Sequence, residues 1–246
     1  MKKDFKQYEG FSLVEMLITI VILSVVMLLV ASTLNTVIKT SQTANSKNQA
    51  RSDVNYIMNT YERLITNSDL EDIKMYNSLA FRKFDFDESG VPQIQTQGPT
   101  PNYVPITTTG DLGNEIHVRL YGTNYWTCIG YFRNDYDALL PPTIKYGYIV
   151  KAIMKDAETV DHSSCFNNAA AITLLHSYSN NIMVRDPSDY ENVAFRMEYI
   201  EVDENNSMFH IRVSVQPLWW PLKGTYLKQS WVTRELAVST KALTRY

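Results

Sequence analysis

The stretch Gly10-Phe-Ser-Leu-Val-Glu15 opens an apolar segment that decides how the chain is organised. From Met16 to Ala31 the polar residues are Thr19 and Ser24, and neither carries a charge. A segment this long and this apolar predicts a helix that spans a membrane. Glu15 stands at its start, where an unpaired carboxylate at the edge of the hydrocarbon costs ~2 kcal/mol or more. We therefore expect Glu15 to have a functional partner.

A short polar leader precedes the apolar segment. Residues 1–10 carry three lysines against two carboxylates, for a net charge of +1. The positive-inside rule places this leader in the cytoplasm and the bulk of the chain outside. A secretory signal is cleaved after its apolar run, whereas the obvious processing junction here, between Gly10 and Phe11, lies before it. Cleavage there leaves the apolar helix in the mature protein, beginning with the free amine of Phe11.

From Gly10 to Leu23 this arrangement resembles the class III leader of the type IV pilin superfamily. The resemblance implies cleavage after Gly10 by a prepilin peptidase and N-methylation of Phe11. It also places Glu15 at the fifth position of the mature chain, where the family has its assembly carboxylate. The implied partners are other pilin subunits, the prepilin peptidase, an inner-membrane assembly platform and, before assembly, membrane lipid.

A carboxylate inside a bundle of apolar helices needs a nearby cation, because an unpaired charge is strongly disfavoured in a low-dielectric core. The amine of Phe11 on a neighbouring subunit is a suitable partner for Glu15, and such a pair would set the axial register of each incoming subunit. The alternative is a plain signal anchor in which Glu15 is solvated at the level of the lipid headgroups.

The helix is predicted to continue beyond the membrane. Neither glycine nor proline occurs between Phe11 and Asp87, and apolar residues recur at helical spacing up to Ile65. We predict a helix over residues 11–66, with residues 11–33 in the membrane. The short polar side chains that follow, from Asn67 to Asp69, favour a helix end.

Residues 67–246 read as a β-rich headgroup. Its clearest hairpin joins an alternating segment at 193–202 to another at 207–215, and a shorter hairpin has its turn at 87–90. Further strands are predicted at 115–121, 125–132, 143–150 and 231–240. The predicted fold class is α+β: a long N-terminal helix, transmembrane in its first half and amphipathic in its second, packed on an antiparallel sheet.

Cys128 and Cys165 are the two cysteines of the chain. In an oxidising location outside the membrane a disulfide between them is favoured, and it would contribute ~3 to 4 kcal/mol in the loop-entropy model. Two alternatives remain open from the residues alone. The cysteines are free buried thiols, or they form a zinc site with His162.

The sequence contains few candidates for catalytic or metal-binding residues. The segment 161–165 contains a carboxylate, a histidine, two serines and a cysteine, but neighbours in sequence seldom converge as a catalytic triad does. The segment from Asp85 to Gly90 matches the first half of a calcium loop, but Thr96 occupies the twelfth position, where a glutamate is needed, so a hairpin turn is preferred. We predict no catalytic residue, no cofactor and no enzyme activity.

The formal net charge of −3 over 246 residues, with no basic stripe, does not indicate a nucleic-acid partner. The predicted function is that of a structural subunit, a minor pilin, because the headgroup is large for an abundant major pilin. The protein is expected in the cytoplasmic membrane with its headgroup outside, and then in an extracellular pilus. One alternative is a pseudopilin of type II secretion or competence DNA uptake. The other is a signal-anchored surface enzyme or binding protein.

Overall fold

The computed structural model describes residues 12–98, 101–134, 144–156, 162–166, 172–175, 183–187, 195–203, 206–216 and 232–240. The predicted processing junction between Gly10 and Phe11 lies outside the described residues. The chain divides into two compact units, residues 1–45 and residues 46–246.

Helix α1 runs from Leu13 to Thr66. In the first unit every described side chain from Ser12 to Gln42 is exposed. At this end the helix is long and apolar enough to cross a membrane. The hydroxyls of Thr19 and Ser24 each donate to a backbone carbonyl of the preceding turn at 2.8 Å. The polar atoms of these two side chains are thus satisfied inside the helix, as a membrane segment requires.

The C-terminal part of α1 belongs to the second unit, where it has one buried face. That face consists of Ala50, Asp53, Val54, Ile57, Met58, Thr60, Tyr61, Leu64 and Ile65. The helix ends at Thr66, and two side chains satisfy carbonyls of its last turn. Asn67 Nδ2 donates to the carbonyl of Arg63 at 2.7 Å, and the hydroxyl of Ser68 donates to that of Leu64 at 2.9 Å.

Thirteen strands are described in the second unit. They are β1 (Ile73–Asn77), β2 (Arg82–Phe86), β3 (Pro92–Thr96), β4 (Val104–Pro105), β5 (Leu112–Gly113), β6 (Glu115–Arg119), β7 (Tyr125–Asn134), β8 (Ile144–Lys155), β9 (Thr173–Leu174), β10 (Met183–Pro187), β11 (Phe195–Asp203), β12 (Asn206–Gln216) and β13 (Val232–Ser239). Eleven form one antiparallel sheet along the order β4-β1-β6-β7-β8-β10-β12-β11-β5, with β13 paired to β12 and β9 to β8. The predicted α+β class, a long helix with an antiparallel sheet, is confirmed.

Both predicted hairpins are present. In β11 and β12, Phe195 lies opposite Val213 and Tyr199 opposite Phe209, so the alternating apolar positions share one face. Strands β2 and β3 form a separate two-stranded sheet. At their turn, Oδ1 of Asp87 accepts backbone N–H bonds from two following residues at 2.8 and 2.9 Å. Gly90 has φ of 77°, which a residue with a Cβ rarely adopts. Residues 87–90 therefore form a hairpin turn, as predicted from the sequence.

Two apolar clusters occupy opposite faces of the central strands. The inner cluster combines the buried face of α1 with alternate residues of the sheet, including Ile116, Val118 and Ile129. The outer cluster lies on the other face of β7 and β8, around Cys128 and Phe132. It also contains Phe84 from β2, and Cys165, Phe166 and Ile172 from the segments that follow β8. The central strands are therefore covered on both faces, which is why polar residues of β6 are buried as well.

Candidate functional site

Glu15 lies in the first turn of α1, where its carboxylate satisfies the helix end. The backbone N–H of Ser12 donates to Oε2 of Glu15 at 3.0 Å, and the first helical hydrogen bond joins the N–H of Met16 to the carbonyl of Ser12 at 3.1 Å. This contact is half of a capping box, and a negative charge here also favours the helix dipole. The Ser12-x-x-Glu15 spacing is the sequence signal for this capping contact.

The surroundings of Glu15 are an unpartnered apolar surface. The exposed large hydrophobic side chains of this half of α1 include Leu13, Val14, Met16, Leu17, Ile18, Ile20, Val21, Ile22 and Leu23, each more than half exposed. A soluble protein rarely exposes a continuous apolar area of this size, whereas lipid or other apolar helices cover it readily. Glu15 is the single carboxylate of this segment.

In the headgroup, Cys128 of β7 is bonded to Cys165. The bond ties a short segment, His162 to Phe166, onto the outer face of the sheet. With both Sγ atoms in the disulfide, neither is a thiolate, so the zinc set of Cys128, Cys165 and His162 does not form in this arrangement. The alternative of two free thiols does not occur in it either.

A buried ion pair lies next to the disulfide. Nη1 of Arg82 is 2.6 and 2.8 Å from the two carboxylate oxygens of Glu115, and both side chains are fully buried. The hydroxyl of Ser78 also donates to Glu115, and Nη2 of Arg82 donates to the carbonyl of Ser163 at 3.1 Å. Burial acts to raise the pKa of Glu115, but hydrogen bonding to His117 and the charge of Arg82 outweigh it and hold the pKa below its ordinary value.

Two histidines extend this network. Nε2 of His117 lies 3.2 Å from Oε2 of Glu115, and its Nδ1 lies 3.4 Å from Nδ1 of His162. The hydroxyl of Tyr76 is also 3.4 Å from Nδ1 of His162. The ring of His162 stacks on Trp126 with 4.1 Å between centroids. The network therefore joins β1, β2, β6 and the disulfide-bonded segment.

Sequence reasoning missed this network because its members are far apart in the chain. One signal was present: Glu115, His117 and Arg119 alternate with Ile116 and Val118 along β6. In an antiparallel sheet, such alternation usually accompanies one buried face and one solvated face. Here both faces of the central strands are covered, so Glu115 and His117 are fully buried as well.

The described members of the 161–165 segment have structural contacts. Cys165 is in the disulfide, the carbonyl of Ser163 accepts from Arg82, and the hydroxyl of Ser164 lies 3.6 Å from the sulfur of Met154. Asp161 lies outside the described residues. This arrangement offers no activated cysteine, because Cys165 is not a thiol.

Comparison with known families bears on the N-terminal segment. Residues 5–31 match the family model described as the prokaryotic N-terminal methylation motif. This match supports a type IV pilin-like prepilin, and its class III leader implies processing by a prepilin peptidase and assembly with other pilins. No curated protein and no solved structure matches the chain. The headgroup is therefore interpreted from its own fold and contacts.

Proposed function

We propose that this protein is a minor pilin, a structural subunit that enters a type IV pilus or a related filament through its N-terminal helix. The observation that carries the proposal is the helix segment 13–33, which is exposed throughout and apolar except for four hydroxyl side chains and Glu15. The methylation-motif match over residues 5–31 supports the same assignment.

The mechanism is one of insertion, processing and transfer. The apolar half of α1 first lies in the cytoplasmic membrane, with the leader in the cytoplasm and the headgroup outside. A prepilin peptidase cleaves after Gly10, and the amine of Phe11 is methylated. The helix then exchanges lipid for the apolar helices of other subunits, so little hydrophobic free energy is lost on leaving the membrane.

Glu15 directs the transfer. In the isolated chain its carboxylate accepts from the N–H of Ser12, a contact that a stronger cationic partner can replace. In the filament core that partner is the amine of Phe11 on the adjacent subunit. A subunit in the wrong register leaves both charges unpaired in a low-dielectric environment, which disfavours it.

The subunit acts structurally and not as an enzyme. The histidine, serine and cysteine of the 162–165 segment have the stacking, backbone and disulfide contacts described above, which favours a structural role. The choice of a minor over a major pilin depends on the size of the headgroup, 180 residues from 67 to 246.

The proposal is tested by the variant Glu15→Val in the native strain, with Glu62→Val as the matched control. Glu62 is an exposed carboxylate on the same helix, beyond the apolar half. We expect Glu15→Val to insert into membranes as well as wild type or better, and to be depleted in sheared filaments detected with an antibody to the headgroup. Glu62→Val should assemble normally. Full incorporation of Glu15→Val would refute the register mechanism.

The pseudopilin alternative shares the same N-terminal features, so gene neighbourhood separates the two. Genes for a secretin and a secretion ATPase beside this one would favour a pseudopilin, and genes for retraction and adhesion a minor pilin. Immunogold labelling of sheared filaments gives the direct answer, because a minor pilin is labelled on pili on the cell surface.

A further inference from the structure

The strongest feature outside the assembly function is the meeting of two imidazoles on the outer face of the sheet. Nδ1 of His117 and Nδ1 of His162 are 3.4 Å apart, and the hydroxyl of Tyr76 is 3.4 Å from the same nitrogen of His162. Nδ1 of His162, in the segment that contains Cys165, thus has a potential donor atom from β1 and another from β6 at the same distance.

The tautomer of His117 is set by its other nitrogen. Nε2 faces Oε2 of Glu115 at 3.2 Å, and that carboxylate is held by Arg82 at 2.6 Å. A carboxylate bound to a guanidinium is an acceptor, so Nε2 of His117 is the donor and carries the hydrogen. The lone pair of the neutral ring is then on Nδ1, which faces His162.

The spacing fits a bound metal ion. Zinc binds imidazole nitrogen at about 2.0 to 2.1 Å in tetrahedral geometry, which places two ligand nitrogens about 3.3 to 3.4 Å apart. The observed 3.4 Å between the two Nδ1 atoms matches that edge. A carboxylate that accepts from the far nitrogen of a ligating histidine is also the usual outer-shell partner of protein-bound zinc.

Both rings are held in place before any ion binds. His117 is fully buried in β6. His162 stacks on Trp126 at 4.1 Å, and its segment is fixed by the disulfide and by the bond from Arg82 to the carbonyl of Ser163. His162 is partly exposed, so an ion can approach it from solvent. A site ordered in advance loses little conformational entropy on binding.

We propose that His117, His162 and Tyr76 form a binding site for one divalent transition-metal ion, with zinc as the physiological ion. Nδ1 of each histidine is a ligand, the Tyr76 oxygen is the third protein donor and water completes the shell. The described His, Cys, Asp and Glu side chains include no metal-binding group of three, so Tyr76 is required to complete the protein donors. Imidazole donors select zinc, copper or nickel over calcium and magnesium.

The bound ion would cross-link β1 and β6 to the segment of residues 162–166. Since the unfolded chain has no such arrangement, binding stabilises the folded headgroup by mass action. The short segment 162–166 is then crosslinked to the sheet twice, by the disulfide at Cys165 and by the metal ion at His162.

The test uses the full-length protein in detergent, stripped of metal with a chelator and titrated with zinc chloride by calorimetry. We expect one zinc per chain and a rise in melting temperature. The variant His162→Phe keeps an aromatic ring on Trp126 but removes the ligand. It should lose affinity by at least the ~10- to 100-fold that loss of an outer-shell partner causes. Tyr76→Phe should weaken binding, and His210→Phe, on β12, should not.

A spectroscopic measurement separates this site from adventitious binding. Copper(II) bound to the wild-type protein should show electron paramagnetic resonance couplings to two imidazole nitrogens, and to one in His162→Phe. Absence of stoichiometric zinc binding by wild type would overturn the proposal. So would equal affinity of wild type and His162→Phe, provided that circular dichroism shows both to be folded.

Discussion

The carboxylate of Glu115 is buried together with Arg82, and the two depend on each other. Taking either charge out of water is expensive, and the cost is offset only while the pair and its hydrogen bonds are intact. Ser78 and His117 supply further bonds to the same carboxylate. Loss of one partner is therefore expected to cost far more than loss of an exposed ion pair.

We predict that Arg82→Met lowers the free energy of unfolding by ~3 to 5 kcal/mol, because it leaves the buried carboxylate of Glu115 without its guanidinium partner. Urea denaturation of the purified protein measures the change. Arg196→Met is the matched control, since Arg196 pairs with Glu198 at 2.8 Å but is 44% exposed. Its loss should cost less than ~1 kcal/mol. Equal effects of the two variants would show that the buried pair has no special role.

The pH dependence of stability follows from the same residue. The folded-state pKa of Glu115 lies below the ordinary value of 4.5. The ionised carboxylate therefore stabilises the fold above the unfolded pKa, and this contribution is lost as pH falls from about 4.5 through the lower folded pKa. Urea midpoints measured from neutral to acid pH should fall more steeply for wild type than for Glu115→Gln below that value. Parallel curves would contradict the assignment.

At the scale of elements, local patterns predicted α1 and the β11–β12 hairpin. The helix pattern depends on residues three and four apart, and the hairpin on alternation beside a short turn, so each signal lies within one stretch of sequence. The network around Glu115 was not predictable in this way, because Arg82 and Ser163 come from distant segments. Strand β1 (Ile73–Asn77) was also missed, since five residues directly after a helix give too short a pattern.

The disulfide between Cys128 and Cys165 fixes the segment 162–166 to strand β7. The cysteines are 37 residues apart in sequence, and in the loop-entropy model a crosslink of this span contributes ~3 to 4 kcal/mol. We predict that reduction of the native protein lowers its melting temperature, as measured by circular dichroism. The double variant Cys128→Ala with Cys165→Ala should melt at the lower temperature and be unaffected by reductant. Two titratable thiols in non-reduced wild type would contradict the bond.

In the whole molecule, the two compact units differ in how far their apolar side chains are exposed to solvent. Residues 1–45 include an apolar helix whose side chains are exposed from residue 12 to residue 42, whereas residues 46–246 bury their own core. A protein divided in this way needs an external apolar environment for one unit only. The methylation motif at residues 5–31 lies within that unit, which agrees with membrane anchoring of a type IV pilin-like protein.

The central claim is that the chain is a prepilin cleaved between Gly10 and Phe11. Intact-mass spectrometry of the protein from a strain with an active prepilin peptidase tests it most directly, with Gly10→Val as the blocked control. We expect a mature wild-type chain that begins at Phe11, lacks the ten-residue leader and carries one methyl group on its amine, while Gly10→Val retains the leader. Wild-type protein that keeps its leader, or that begins at any residue other than Phe11, would contradict it.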